Sequence, residues 1–308
     1  MNSVIVSILP IFLLTLLGSL IKTQWLTSDE FWRGLEKIAY FLLFPVLMFN
    51  AVYDADLSKG AMLRLIIALM LATLVIAAGL IAYQRRTNMD KALFTSLFQG
   101  GIRYNSYIFF GLSNGLYGNQ SMAMVAVVAG YMIIFTNVIS VAIFAAYTPS
   151  DTSGRVSLFS IVYKSAQNPM VVASAFGFLC NYMDITIWLG IKKCLDNISS
   201  ASLTMGLLCV GAALRFNANA GNKHVILLSC FVKLVLMPAV TFVFLKLFKL
   251  NEFQRNIGIL YSCLPPSSNA FLLSRQLGGD ADSMAAISTY STIVSVVSLI
   301  FLTYILGS

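Results

Sequence analysis

"QGGIRYNSYIFFG", residues 99–111, decides how the chain is read, because it sets an arginine, an asparagine and two glycines inside an otherwise apolar run. No acidic residue stands near Arg103 in the sequence. An arginine at the centre of a spanning helix costs about 2.5–3.5 kcal/mol on insertion scales, so a chain that keeps one there has a use for it. The surroundings are those of a membrane protein. The 308 residues are 58% hydrophobic and 10% charged, with a mean hydropathy of +0.84. Such a composition points to an integral membrane chain with no separate soluble domain. At roughly 30 residues per helix and loop, the length accommodates about ten spanning helices.

Uncharged runs outward from this stretch mark the helices. They cover 1–21, 38–53, 65–84, and a fourth helix whose first half is 92–102 and whose remainder follows Arg103. A fifth follows a split near "LYGNQS", and the others are 165–183, 197–214, about 225–248, 256–274 and 283–306. Turn and charge signals such as "YDADLSKG", "QRRTNMDK" and "TPSDTSGR" separate them. The N-terminal run has neither a basic leader nor an A-x-A site, so it reads as a first spanning helix rather than a signal peptide. With the N-terminus outside, cytoplasmic loops carry eleven Lys and Arg against seven on the other side, which favours both termini outside. The net charge of +8 sits mostly at helix ends, where orientation and anionic lipid account for it and nucleic acid is not called for. Five scattered cysteines offer neither a C-x-x-C pair nor a disulfide framework, and no metal ligand set or cofactor motif is evident.

The chain also resembles itself. "LEKIAYFLLFPVLMF" (35–49) aligns with "LDNISSASLTMGLLC" (195–209), and Pro10 with Pro169. "NSYIFFGLSNGLYGNQSMA" (105–123) aligns with "NAFLLSRQLGGDADSMA" (269–285). The near-constant offset implies two five-helix repeats, 1–147 and 159–308, joined by a short cytoplasmic linker at 148–158. Five being odd, the second copy inserts upside down, the plan of inverted-repeat transporters.

Equivalent interruptions fall in the fourth and ninth helices, "QGGIRYNS" around Asn105 and "CLPPSSNA" around Asn269. Pro265 and Pro266 lack amide hydrogens and end any helix before them, while Gly100 and Gly101 weaken helix 4. Unpaired backbone at that depth is tolerated only where it is buried in protein or lines a cavity. New half-helices are expected to begin near Tyr107 and Ala270. Each presents amides and about half a positive charge at its N-terminus. Asn105, Ser106, Ser267, Ser268 and Asn269 are helix-capping residue types, and Arg103 adds a planar fork suited to a carboxylate. The candidate substrate residues are therefore Arg103, Tyr104, Asn105, Ser106, Pro265, Pro266, Ser267, Ser268 and Asn269. The plainer alternatives are caps without ligand contact and an Arg103 that snorkels to an interface. Lys233 is expected to find a structural partner or to snorkel, and Arg275 to anchor at an interface. Asn50, Asn137 and Asn168 are expected to bond between helices. His224, at a loop–helix junction, is a poor candidate for a proton relay.

The stretches "QGGIRYNSYIFFGLSNGLYG", "QNPMVVASAFG", "KLVLMPAV" and "LPPSSNAFLLSRQLGGDADSMA" make the chain resemble a bacterial member of the auxin efflux carrier family, which includes malonate transporters and the plant PIN proteins. The resemblance implies an all-α membrane fold of ten helices similar to bile acid–sodium symporters. Helices 1, 2, 6 and 7 would form a scaffold, and helices 3–5 and 8–10 a moving core in which broken helices 4 and 9 cross. It implies elevator-like transport of small organic anions in the bacterial inner membrane, and a homodimer through the scaffold. The chain departs from PIN-type members in lacking a proline at the helix 4 break and a long cytoplasmic loop.

A potential negative inside opposes inward movement of each negative charge by about 2.3 kcal/mol per 100 mV. An uncoupled anion carrier would therefore export, and import needs a cation. A coupling proton or sodium ion stays open, since no carboxylate sits at either break. A sodium-coupled organic acid symporter and a ligand sensor that moves nothing are the rival readings. With a single peripheral histidine and no paired carboxylates at depth, an enzyme is not expected.

Overall fold

The computed structural model describes residues 2–55, 61–148, 167–216, 222–267 and 269–305. Ser268, the side chain of Asn269 and all but the first residue of the 148–158 linker lie outside the described residues. Every regular element among the described residues is helical. In chain order these are α1 (Asn2–Gln24), α2 (Asp29–Tyr53), α3 (Ala61–Thr87), α4 (Lys91–Ile102), α5 (Ser106–Tyr117) and α6 (Met122–Tyr147). They continue with α7 (Pro169–Tyr182), α8 (Leu189–Ala212), α9 (Lys223–Leu247), α10 (Glu252–Ser262), α11 (Asn269–Gln276) and α12 (Ala281–Ile305). Seven of the described helices, α1, α2, α3, α6, α8, α9 and α12, are long and apolar enough to cross a membrane, and α7 is apolar but shorter. The chain is a multi-pass membrane protein.

Two helices start well before the apolar runs that announced them. α2 begins at Asp29 rather than 38, because the Ser28 hydroxyl accepts the Phe31 amide and Asp29 and Glu30 suit the positive end of the helix. α8 begins at Leu189 rather than 197, because Lys192 pairs with Asp196 one turn on, at 2.7 Å, and with Asp54 at 2.9 Å. Asp29 and Lys192, charges that break the two apolar runs, each have a charged partner at the helix end.

α2 and α9 share a local distortion. Each contains one π-helical turn, Ala39–Leu43 and Val232–Leu236, and each turn ends two residues before a proline, Pro45 and Pro238. A proline inside a helix donates no amide and crowds the carbonyl four residues back. The wider turn moves that carbonyl aside, so the helix continues with a local bulge.

The helices gather into two compact units. The first combines Met1–Lys59, Tyr107–Tyr131 and Ala166–Ala213. Within it α1 lies on α8 through Gly18 and Gly211, where a side chain on Gly211 would overlap the Thr15 carbonyl. α2 lies on α7, where a Cβ on Gly177 would come within 2.7 Å of the Phe49 carbonyl oxygen. The Ser202 hydroxyl of α8 donates to the carbonyl of Leu43, inside the π turn, at 2.7 Å. Lipid tails are as apolar as leucine, so backbone approach and such bonds, rather than burial from water, hold these helices together.

The second unit combines Gly60–Ser106, Met132–Ser165 and Leu214–Ser308. Here α4 is almost wholly buried, packed against α3, α9 and α12. Its start is pinned by the Asp90 carboxylate, which accepts the Leu93 amide at 2.9 Å. The Ser96 hydroxyl donates to the Asp280 carbonyl at 2.7 Å, tying α4 to the turn before α12.

Gly211→Val should lower the melting temperature of the detergent-solubilised protein by an amount equivalent to about 1–3 kcal/mol, the usual cost of overpacking. Gly130→Ala, in open space, should leave it unchanged or raise it by up to about 1 kcal/mol. Differential scanning fluorimetry of both variants tests this.

Candidate functional site

α4 ends without a proline. The Arg103 amide still reaches the Gln99 carbonyl at 2.9 Å, but its backbone then extends, with ψ 163°, and the helical ladder stops. Asn105 occupies the capping position of α5, which begins at Ser106, one residue before the expected start near Tyr107. Ser106 is thus the first helical residue and not the cap. Gly100 and Gly101 do not mark the break. They lie inside α4, and a side chain on Gly100 would run into the Ser229 hydroxyl and approach Ile287 Cγ2 within 2.7 Å. One on Gly101 would lie 2.9 Å from Leu80 Cδ1 and 3.2 Å from Val232 Cγ1. Their function is to let α4 pass close to α3, α9 and α12.

The second interruption follows its prolines as expected. α10 closes with the Cys263 amide on the carbonyls of Ile259 and Leu260, and Leu264 bonds Tyr261 at 3.3 Å. The chain then leaves the helix through the buried Pro265 and Pro266. It re-enters at α11, where the Ala270 amide reaches the Ser267 carbonyl at 3.0 Å. α11 starts at Asn269, again one residue earlier than Ala270.

The two interruptions meet. The Asn105 amide donates to the Pro265 carbonyl at 2.9 Å, joining one broken backbone to the other. Next to this bond the rings of Tyr104 and Tyr261 pack with centroids 4.5 Å apart and planes inclined by 59°. Asn105 and Tyr104 are only 2% and 4% exposed, whereas Arg103, Ser106 and Ser267 are half-buried.

Arg103 is held by neutral oxygens. Its Nη1 donates to Gln99 Oε1 at 3.2 Å and its Nη2 to Asn137 Oδ1 at 2.9 Å. Gln99 in turn donates through Nε2 to Ser274 Oγ at 2.9 Å. This chain of bonds links α4 to α6 and α11, so the guanidinium is fixed between two amides at the meeting of the breaks. The expected residues that the structure brings together here are Arg103, Tyr104, Asn105 and Pro265. Gln99, Asn137 and Ser274 join them here without being among the expected residues. Gln99 stands in the opening stretch one turn before Arg103, Asn137 makes the bond between helices expected of it, and Ser274 gives no signal in the sequence.

Other expectations change. Lys233 does not snorkel: it is fully buried, with Nζ 5.8 Å from the centre of the Tyr261 ring. Asn168 bonds the Met170 amide and caps α7 instead of bridging helices. Asn50 does bridge, donating to Asp196 at 3.1 Å. Arg275 is exposed at the end of α11. Among the described residues no group of three His, Cys, Asp or Glu converges as a metal site.

Replacing Asn137 by leucine leaves part of a guanidinium unsatisfied and should cost about 1.5–3 kcal/mol of stability. In combination with Arg103→Gln the loss should be less than the sum of the two. A double-mutant cycle on melting temperature measures the coupling.

Residues 3–303 match the family model described as membrane transport protein. Two relatives align along nearly their whole lengths. An uncharacterized transporter of Methanothermobacter thermautotrophicus is 21% identical over 297 residues, 95% of this chain and 95% of its own. A Rhizobium meliloti protein named "Putative malonate transporter" is 22% identical over 305 residues, 98% of this chain and 95% of its own. A match running from the first helix to the last, through both interruptions, makes this chain a transporter of the membrane transport protein family, the auxin efflux carriers.

Proposed function

We propose that the protein carries a small organic anion, a mono- or dicarboxylate, across the bacterial cytoplasmic membrane by alternating access. The observation that carries this reading is the bond from the Asn105 amide to the Pro265 carbonyl, which brings two broken helices together beside Arg103. Interrupted helices meeting at depth are the pattern of substrate sites in secondary transporters. Arg103 supplies the charge and fork that select a carboxylate. In this reading Tyr104, Asn105, Ser106, Pro265, Pro266, Ser267, Ser268 and Asn269 are the other substrate-binding residues, with backbone amides at the interruptions as donors. The malonate named for the Rhizobium meliloti relative is a compound of this class. In this reading 1–147 and 159–308 are inverted repeats, both termini lie outside, and a proton or sodium ion accompanies the anion wherever it is imported.

A thermal-shift screen of the purified protein against carboxylates, followed by flux in proteoliposomes, tests the reading. At a hundred times its dissociation constant a bound substrate should add about 2.7 kcal/mol of stability. Arg103→Gln should abolish that gain and the flux, with the melting temperature of the empty protein moving by only a few degrees. If Arg103→Gln and Asn269→Ala both leave binding unchanged, the site lies elsewhere.

A further inference from the structure

We infer that Lys233 is a specificity-determining residue of this carrier, contacting the second negative charge of a dianionic substrate; the inference rests on the anion-carrier reading above. Lys233 lies in the π turn of α9, fully buried. Its Nζ has no hydrogen-bond acceptor among the described residues. What it has is the face of Tyr261, 5.8 Å away, and the Cys263 thiol within electrostatic reach. Those two residues flank the point where α10 stops. Tyr261 also packs on Tyr104, next to Arg103 and the Asn105–Pro265 bond. The amine and Tyr104 therefore share one neighbour, the Tyr261 ring beside the two interruptions.

A second buried group on α9 is left without a partner one turn earlier. The Ser229 hydroxyl, at the place where Gly100 lacks a side chain, has no hydrogen-bond partner among the described residues. Removing a lysine from water without an acceptor is costly, and an apolar side chain of the same volume would pack there at no such cost. An aromatic face at this distance offsets only part of that loss. A donor group retained under those terms, beside a broken backbone, is matched by an acceptor that comes and goes. Arg103 already has two amide oxygens, and a single carboxylate suits its fork. A second carboxylate on the same molecule is the acceptor that fits Lys233. The Tyr261 ring faces the amine, so a dianion that reaches both cations passes beside that ring.

The experiment compares malonate and succinate with their half-amides, malonamate and succinamate, which have nearly the same shape and one charge less. Binding to the purified wild-type protein, Arg103→Gln and Lys233→Met is measured by titration calorimetry and by melting temperature. Wild type should prefer the dianions. Lys233→Met should weaken the better dianion tenfold or more and its half-amide less than threefold, while the melting temperature of the empty protein holds or rises. Equal weakening of both ligands, a preference that survives in Lys233→Met, or a clear fall in the melting temperature of the empty variant overturns the inference and makes Lys233 a packing residue. Unchanged binding in Arg103→Gln overturns the site on which the carrier reading stands, a separate result from the dianion ratio. No binding of any of the four to wild type overturns both.

Discussion

A backbone interrupted among buried residues has no water to turn to, and this one constraint organises the second unit. Two prolines end α10 and remove two amides that would otherwise need partners, but their carbonyls remain. Asn105, freed from its own helix, gives its amide to one of them. A buried backbone group left without a partner costs several kcal/mol, and this bond removes that cost for one amide and one carbonyl. Each break is the other's partner.

Bringing the breaks together requires helices that approach closely. Gly100 and Gly101 give α4 a bare strip against which Ser229, Val232, Leu80 and Ile287 can lie. Pro238 widens α9 in the turn that holds Lys233, so a distortion set by one imino acid fixes where a buried amine stands. The first unit relies on the same means, Gly18, Gly177 and Gly211 against backbone, with a hydroxyl on the carbonyl inside a π turn. Packing by bare backbone is what a chain can use where its surroundings are as oily as its side chains.

Much of this was legible from the residues. Prolines and capping residues announced the second interruption to within a residue, because the missing amide and the crowded carbonyl are properties of proline itself. An arginine among apolar residues announced the first. Partners were not legible. Which oxygens hold Arg103 depends on the placement of α6 and α11, and neither Asn137 nor Ser274 lies near it in sequence. The glycine pair misled: its local meaning is a weak helix, and its tertiary meaning, close passage, depends on neighbours that no short stretch names. Helix starts at Asp29 and Leu189 were hidden because charges that look like a loop are satisfied by capping and by pairing with Asp54 and Asp196.

The two amides around Arg103 have a kinetic consequence. In the proposed carrier, a carboxylate arriving at that guanidinium would not meet a bare cation; it would have to displace the Gln99 and Asn137 oxygens. Oxygen would be exchanged for oxygen, so the net gain would be the modest difference between a charged and a neutral acceptor. Such an exchange would keep the ligand's residence brief, which suits a device that must let go of its cargo on the far side as readily as it took hold on the near one.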